Sequence, residues 1–185
     1  DAPYWPYDGL NERGLAVGMM AVPHARDNEE PGQPTIGSLH AIRLLLDRAA
    51  TVEEAIALLQ GVHIVWDGGP PVHYLVADPT GHSAVIEWLA GDMQVTHSQA
   101  SWQVSTNFVL AEEQPRGAHS PCWRYNRVYE RLSAVGGAVG PMFDAAMGRR
   151  LKREADAFDC EIRYRTIDHC LHRKGVKWTW KSLAE

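Results

Sequence analysis

Three short segments in the middle of the chain restrict the fold more than any other feature. Residues 73–78 (HYLVAD), 83–89 (SAVIEWL) and 93–97 (MQVTH) are rich in β-branched and aromatic residues, which is typical of strands. Turn-forming residues separate them, at 79–81 (PTG) and at 90–92 (AGD). Because such tight turns join antiparallel neighbours, the sequence predicts an antiparallel meander.

The segments before the meander predict a strand and two helices. Residues 15–22 (LAVGMMAV) form a near-continuous apolar run of strand length, and the polar residues 24–33 after it predict an exposed loop. Apolar residues at helical spacing predict a helix over 38–49, capped by Ser38. The capping box at 51–54 (TVEE) predicts a second helix that Gly61 ends.

The segments after the meander predict further elements of both kinds. A fourth short strand is predicted at 103–106, followed by a helix from Pro121 to Leu132 that Gly136 and Gly137 end. Residues 141–157 predict another helix, and 176–181 alternate as an edge strand does.

This order of elements is that of an α+β chain, with antiparallel sheets flanked by helices. The chain has 185 residues, of which 45% are hydrophobic, which is enough for one sizeable core. We therefore expect a single domain over residues 1–185.

Composition argues against several classes of partner. The 18 Lys and Arg are outnumbered by 23 Asp and Glu, so we expect no nucleic-acid partner. No window resembles a membrane span, and we expect no membrane partner. The three cysteines, Cys122, Cys160 and Cys170, favour reduced thiols and a cytoplasmic location, with a Cys160–Cys170 bridge as the alternative.

Titratable residues of the meander raise two weaker hypotheses. His73, His82 and His97 lie on or beside neighbouring predicted strands, where they could converge on a metal ion. Glu87 and Asp78 invite interpretation as paired carboxylates. We favour the plainer interpretation of packed or solvated histidines and of turn and surface acids, and we expect no metal site and no cofactor.

Four motifs together carry a family resemblance. Residues 7–16 (YDGLNERGLA) resemble a D-G-x-N-E-x-G-L-A segment, and 73–88 resemble a hairpin that runs from Asp through Gly to Glu. Residues 105–108 (STNF) resemble a T-N motif, and 120–127 (SPCWRYNR) resemble a helix start that carries an active-site Arg. In this order they resemble the linear amide C–N hydrolases, which include choloylglycine hydrolases, penicillin V acylases and acyl-CoA:6-aminopenicillanic acid acyltransferases.

The resemblance implies a fold and a chemistry. Members are N-terminal-nucleophile (Ntn) hydrolases with four αββα layers, whose N-terminal Cys attacks the carbonyl of a small-molecule amide. The oxyanion donors would be the Asn107 side chain and the backbone N–H of Ala21, where bile salt hydrolases carry Asn. Arg124 would lie near the nucleophile, with Arg127 in reserve. The alternatives are a turn role for Asn107 and a surface role for Arg124.

Two features depart from the family pattern. The family's nucleophilic Cys lies upstream of the segment that begins at Asp8, and no Cys, Ser or Thr precedes Asp8 here. We therefore expect a partial domain that lacks the nucleophile, and none of its three cysteines replaces that group. The second departure is the tail, residues 160–185, which matches the family poorly.

Several functional alternatives stay open at this stage. We expect an amide hydrolase that forms homo-oligomers or associates with its N-terminal segment. The rival hypotheses are a non-catalytic descendant that binds a small molecule and an unrelated α+β structural module. Bile salts, penicillins, acyl-homoserine lactones and peptide-like amides are all compatible as substrates.

Overall fold

The computed structural model describes residues 4–27, 30–66, 68–113 and 120–137, and the statements below concern these residues. The elements in chain order are β1 (Asp8–Leu10), β2 (Ala16–Ala21), β3 (Thr35–Gly37), α1 (Ser38–Arg48), α2 (Val52–Gln60), β4 (His63–Val65), β5 (Val72–Ala77), β6 (Ser83–Leu89), β7 (Asp92–His97), α3 (Leu110–Glu113) and α4 (Trp123–Ala134). No helix in these ranges is both long and apolar enough to cross a bilayer.

A five-stranded sheet with the order β1-β2-β5-β6-β7 forms the centre of the described part of the chain, and every neighbouring pair in it is antiparallel. The predicted meander is confirmed as β5, β6 and β7, with Tyr74 opposite Ile86 and Val85 opposite Thr96. The predicted α+β class, with antiparallel sheet flanked by helices, is likewise confirmed. The apolar run at 15–22 forms β2, which pairs with β5 along its whole length.

Both faces of β5 and β6 are covered, and alternation along the strands decides which residues lie on which face. Tyr74, Val76, Ile86 and Trp88 pack with the buried residues of α1 and α2 in one core. Val85 packs on the other face against Val104, Phe108, Leu110 and Tyr125. Strands covered on both faces are almost continuously apolar, as these two are. By the same alternation, His73 and Glu87 lie on the second face.

The two predicted helices before the meander are confirmed, with one correction at a cap. Ser38 does not cap α1, because the N-cap is Gly37 and no side chain bonds there. Gly37 ends β3 and already has the extended backbone that an N-cap requires. At α2, Thr51 Oγ1 accepts from Glu54 N at 3.2 Å, and Glu54 Oε2 accepts from Ala50 N at 2.7 Å. The capping box therefore forms, with its carboxylate bonded one residue before the cap.

The predicted strand at 103–106 is wrong. These residues form no strand, and Gln103 instead donates from its side chain to Thr96 O at 2.7 Å. The segment crosses the second face of the sheet, where Val104 is buried in the core with Val85. The segment is therefore held by the burial of Val104 and not by strand pairing with the sheet.

The structure also contains a second, smaller sheet that the sequence patterns did not predict. Within the described ranges, the second sheet is a two-stranded parallel one, formed by β3 and β4. Strands of three residues are too short to show an alternating pattern, so these two strands leave no signal in the sequence.

The helix predicted from Pro121 is α4, which begins two residues later, after the N-cap Cys122. It ends before Gly136 and Gly137, whose φ values of 58° and 78° suit glycine. The predicted helix at 141–157 and strand at 176–181 lie outside the described residues. The single domain over 1–185 and the unmatched tail at 160–185 stay predictions.

Asn11 fastens the turn between β1 and β2 to the end of α1. Its Nδ2 donates to Leu46 O at 3.0 Å and to Ala49 O at 2.7 Å. Its Oδ1 accepts from Arg13 N at 3.0 Å and from Leu15 N at 2.9 Å. The side chain thus satisfies carbonyls that a helix end leaves unpaired.

We expect Asn11→Ala to lower the free energy of unfolding by about 2–4 kcal/mol, because four hydrogen bonds are lost together. Urea denaturation followed by circular dichroism measures this difference. Gln33→Ala is the control, since it removes only two exposed bonds, one to Gln60 O and one from Glu30 N, and should cost about 1 kcal/mol. Equal midpoints for Asn11→Ala and the wild type would contradict the role of Asn11.

Candidate active site

The structure brings the three residues predicted for the site into one hydrogen-bonded chain. Asn107 Nδ2 donates to the carbonyl oxygen of Ala21 at 2.8 Å. Arg124 Nη2 donates to Asn107 Oδ1 at 3.0 Å. Three distant parts of the sequence, β2, the loop before α3 and the first turn of α4, therefore meet at Asn107. The guanidinium that reaches Asn107 is that of Arg124 rather than that of the reserve candidate, Arg127.

The partners of Asn107 fix the orientation of its side-chain amide. A guanidinium only donates and a carbonyl oxygen only accepts, so Oδ1 must face Arg124 and Nδ2 must face Ala21. The amide nitrogen carries a second N–H, for which the described residues provide no acceptor. This N–H is a donor held in a defined direction, as oxyanion stabilisation requires.

The backbone of Ala21 lies at an open part of the β2 edge. Groups that bond a given neighbour recur at every second residue of an antiparallel strand. Val22 N donates to Pro71 O on the β5 side, so Ala21 directs its N–H and C=O to the other side of β2. The pairing of β2 with β1 ends at Gly18. The Ala21 N–H therefore lies on the same edge as the carbonyl that Asn107 contacts.

A buried histidine–carboxylate pair lies on the same face of the sheet as Asn107. His73 Nδ1 and Glu87 Oε1 are 2.5 Å apart, and these residues are only 1% and 2% exposed. Glu87 also accepts from Leu110 N and Ala111 N, each at 2.8 Å. His73 Nε2 lies 2.9 Å from Ser105 Oγ.

This pair corrects two of the sequence interpretations. Glu87 is not a surface acid, and its partner is His73 rather than Asp78. Both ring nitrogens of His73 are engaged, which leaves neither for a metal ion. No group of three or more His, Cys, Asp or Glu among the described residues is placed to hold one. The register of the β5–β6 hairpin could have revealed this contact. Tyr74 lies opposite Ile86, so the next residues along the two strands, His73 and Glu87, face each other.

The family is decided by a match over more than half of the chain. The family model described as linear amide C–N hydrolases, choloylglycine hydrolase family, matches residues 1–108. The chain belongs to the choloylglycine hydrolase family. The matched range includes Ala21 and Asn107, whereas Arg124 lies beyond it. The assignment of Arg124 therefore rests on its sequence motif and on its contact with Asn107.

Relatives of this family member agree in sequence and in fold. Penicillin V acylase from Pectobacterium atrosepticum is 29% identical over 118 residues, which covers 58% of this chain and 31% of the acylase. The structure of penicillin V acylase from Agrobacterium tumefaciens superimposes with a TM-score of 0.61 at 24% identity, covering 79% of this chain and 50% of that one. A conjugated bile acid hydrolase from Clostridium perfringens superimposes with a TM-score of 0.47 at 23% identity, covering 68% of this chain and 38% of that one. The chain thus spans 31% of the length of the Pectobacterium acylase and 50% of the Agrobacterium one.

Cys122, which was not predicted as a site residue, lies beside this family site at the N-cap of α4. Burial raises the pKa of its thiol, but the Thr106 hydroxyl, the backbone N–H of Tyr125 and the positive charge of Arg124 outweigh burial. The net result is a pKa below the ordinary thiol value. The local environment thus favours an anion next to Arg124.

We expect Cys122 to react with iodoacetamide at lower pH in the folded protein than in the urea-unfolded chain, because only the thiolate reacts. Peptide mass spectrometry separates Cys122 from the other two cysteines, and the rate is measured as a function of pH. Arg124→Gln should move the folded profile to higher pH. A folded profile that coincides with or lies above the unfolded one would refute the stated environment.

Asp78 is a structural carboxylate of the β5–β6 hairpin rather than part of the site. Its Oδ2 accepts from Val52 N at 3.1 Å, and its Oδ1 accepts from Thr80 N at 2.9 Å. Burial raises the pKa of Asp78, but these bonds and that of the Thr80 hydroxyl lower it by more. The net result is a pKa below the ordinary value. Asp78 therefore stabilises the fold above the unfolded pKa, and this contribution is lost as the pH falls through the lower folded value.

Proposed function

We propose that the complete protein hydrolyses linear amides, converting an acyl-amine into a carboxylic acid and a free amine. The single observation that carries this proposal is the hydrogen-bonded chain from Ala21 through Asn107 to Arg124 in a member of the choloylglycine hydrolase family. Such a chain holds a neutral donor and a cation at one place, as catalysis of acyl transfer requires.

The nucleophile in this proposal is an N-terminal Cys that lies outside residues 1–185. Its sulfur attacks the amide carbonyl, and its own α-amino group accepts the thiol proton. The C–N bond then breaks as that proton passes to the departing amine. Water hydrolyses the thioester, which returns the thiol and releases the acid.

Asn107 and Ala21 provide the donors for the intermediate of this reaction. The carbonyl oxygen becomes an anion when sulfur adds, and it is stabilised by N–H groups that are already in place. We assign these groups to the second N–H of the Asn107 amide and to the backbone N–H of Ala21. Arg124 holds the Asn107 amide by its oxygen and adds positive charge near the anion.

The substrate is proposed only as a class. The relative with 29% identity is a penicillin V acylase, and this places penicillin V first among the amides to test. Glycine-conjugated bile salts, acyl-homoserine lactones and simple N-acyl peptides complete the panel. Homo-oligomerisation stays a prediction that light scattering of the complete protein tests.

Amine release by the complete protein tests the proposal. Each amide of the panel is incubated with the purified protein, and the freed amine is quantified with fluorescamine. We expect turnover of at least one substrate, and none by a variant with Ala in place of the N-terminal Cys. Binding of these amides without any release of amine would favour the non-catalytic binding protein instead.

A further inference from the structure

The short segment that carries Asn107 is fastened at both of its ends to a single buried carboxylate. After Asn107, Glu87 accepts from the backbone N–H groups of Leu110 and Ala111. Before Asn107, the same carboxylate is connected through His73 to the hydroxyl of Ser105. Asn107 is thus held between two fixed points, both of which depend on Glu87.

The chemistry of this network makes it directional. Three N–H donors converge on the two oxygens of Glu87, an arrangement that suits an ionised carboxylate. In the neutral tautomer of His73 that donates from Nδ1 to Glu87, Nε2 accepts from the Ser105 hydroxyl. Because His73 and Glu87 are almost fully buried, water does not compete for these bonds.

We propose that Glu87, His73 and Ser105 are positioning residues that hold Asn107 in the geometry needed for oxyanion stabilisation. The proposal rests on the proposed function, because Asn107 has a catalytic role only there. A displacement of about 1 Å in a catalytic group can cost on the order of 10²-fold in rate. A network that fixes the loop on both sides of Asn107 prevents such a displacement.

The same groups have the hydrogen-bond order of a Ser-His-Glu catalytic triad, but the structure favours positioning. The histidine of a triad must pass its proton to the leaving group, and it therefore has to reach the ligand. His73 is only 1% exposed, so its ring is out of reach of a leaving group. Labelling by a fluorophosphonate probe distinguishes the two roles, since only a nucleophilic serine reacts.

A double-mutant cycle in the complete protein tests the positioning role. We expect Ser105→Ala to lower kcat by about tenfold with KM nearly unchanged, and Ser105→Thr, which keeps the hydroxyl, to restore most of that loss. In an Asn107→Ala background, Ser105→Ala should have no further effect, because it acts through the missing amide. Ser133→Ala, on the exposed end of α4, is the matched control.

The outcomes separate this inference from the function on which it rests. An equal effect of Ser105→Ala with and without Asn107, or fluorophosphonate labelling of Ser105, would overturn the positioning role and leave amide hydrolysis intact. If the wild type releases no amine, hydrogen exchange of the Asn107 side-chain amide by NMR provides the measurement. Ser105→Ala should then accelerate that exchange by about tenfold, and unchanged exchange would overturn the inference.

Discussion

Asn107→Ala should lower kcat of the complete protein by about 10²–10³-fold, the usual effect of removing one side-chain donor from an oxyanion hole. The expected change in KM is small, because the donor is needed when negative charge develops rather than when substrate binds. The free energy of unfolding should fall by only about 1–2 kcal/mol, since Asn107 is half-buried and its side chain makes two hydrogen bonds, to the Ala21 carbonyl and from the Arg124 guanidinium. Steady-state kinetics and thermal unfolding of the two proteins measure both quantities.

Asn107→Asp separates the donor from the contact with Arg124. The carboxylate keeps an acceptor for the guanidinium, but it has no N–H to offer to an oxyanion. We therefore expect Asn107→Asp to lose at least as much activity as Asn107→Ala. An Asp variant with near wild-type kcat would show that Asn107 serves only to hold Arg124.

Arg124→Ala should lower kcat/KM by about 10–100-fold, which corresponds to the loss of a charged hydrogen bond of about 1.5–3 kcal/mol. Two effects combine in this loss. The Asn107 amide loses the partner that fixes its oxygen, and the site loses positive charge beside the developing anion. The steady-state parameters of the complete protein with its best substrate measure the effect.

Arg127→Ala is the matched control for Arg124→Ala. Arg127 lies one helical turn further along α4, so its replacement changes the charge of the helix by the same amount. Near wild-type activity is expected for it. Equal losses in the two variants would mean that general positive charge on α4 matters and that the contact with Asn107 does not.

Local patterns predicted the elements whose signals are contained within a few residues. The capping box at 51–54 and the turns of the meander act through neighbours in sequence, and α2 and β5–β7 are found where expected. The conformation of residues 103–106 depends instead on the burial of Val104 against Val85, a contact between residues distant in sequence. Propensity does not reveal such contacts.

The candidate site shows the same division. Ala21, Asn107 and Arg124 were found because short motifs resemble those of a family, and the structure then placed the three together. The network of His73, Glu87 and Ser105 carries no motif of its own, and its members were interpreted singly. Ser105 lies 32 residues from His73 in sequence, so only the folded chain reveals their contact.

The position of the oxyanion tests the central claim most directly. An aldehyde analogue of the substrate's acyl group would form a hemithioacetal with the N-terminal Cys in a crystal structure of the complete protein. The oxygen of this hemithioacetal stands in for the oxyanion. We predict that this oxygen lies about 2.7–3.1 Å from Asn107 Nδ2, with the Ala21 N–H directed at it. A hemithioacetal oxygen that points to solvent, with Asn107 still bonded only to Ala21 and Arg124, would contradict the account.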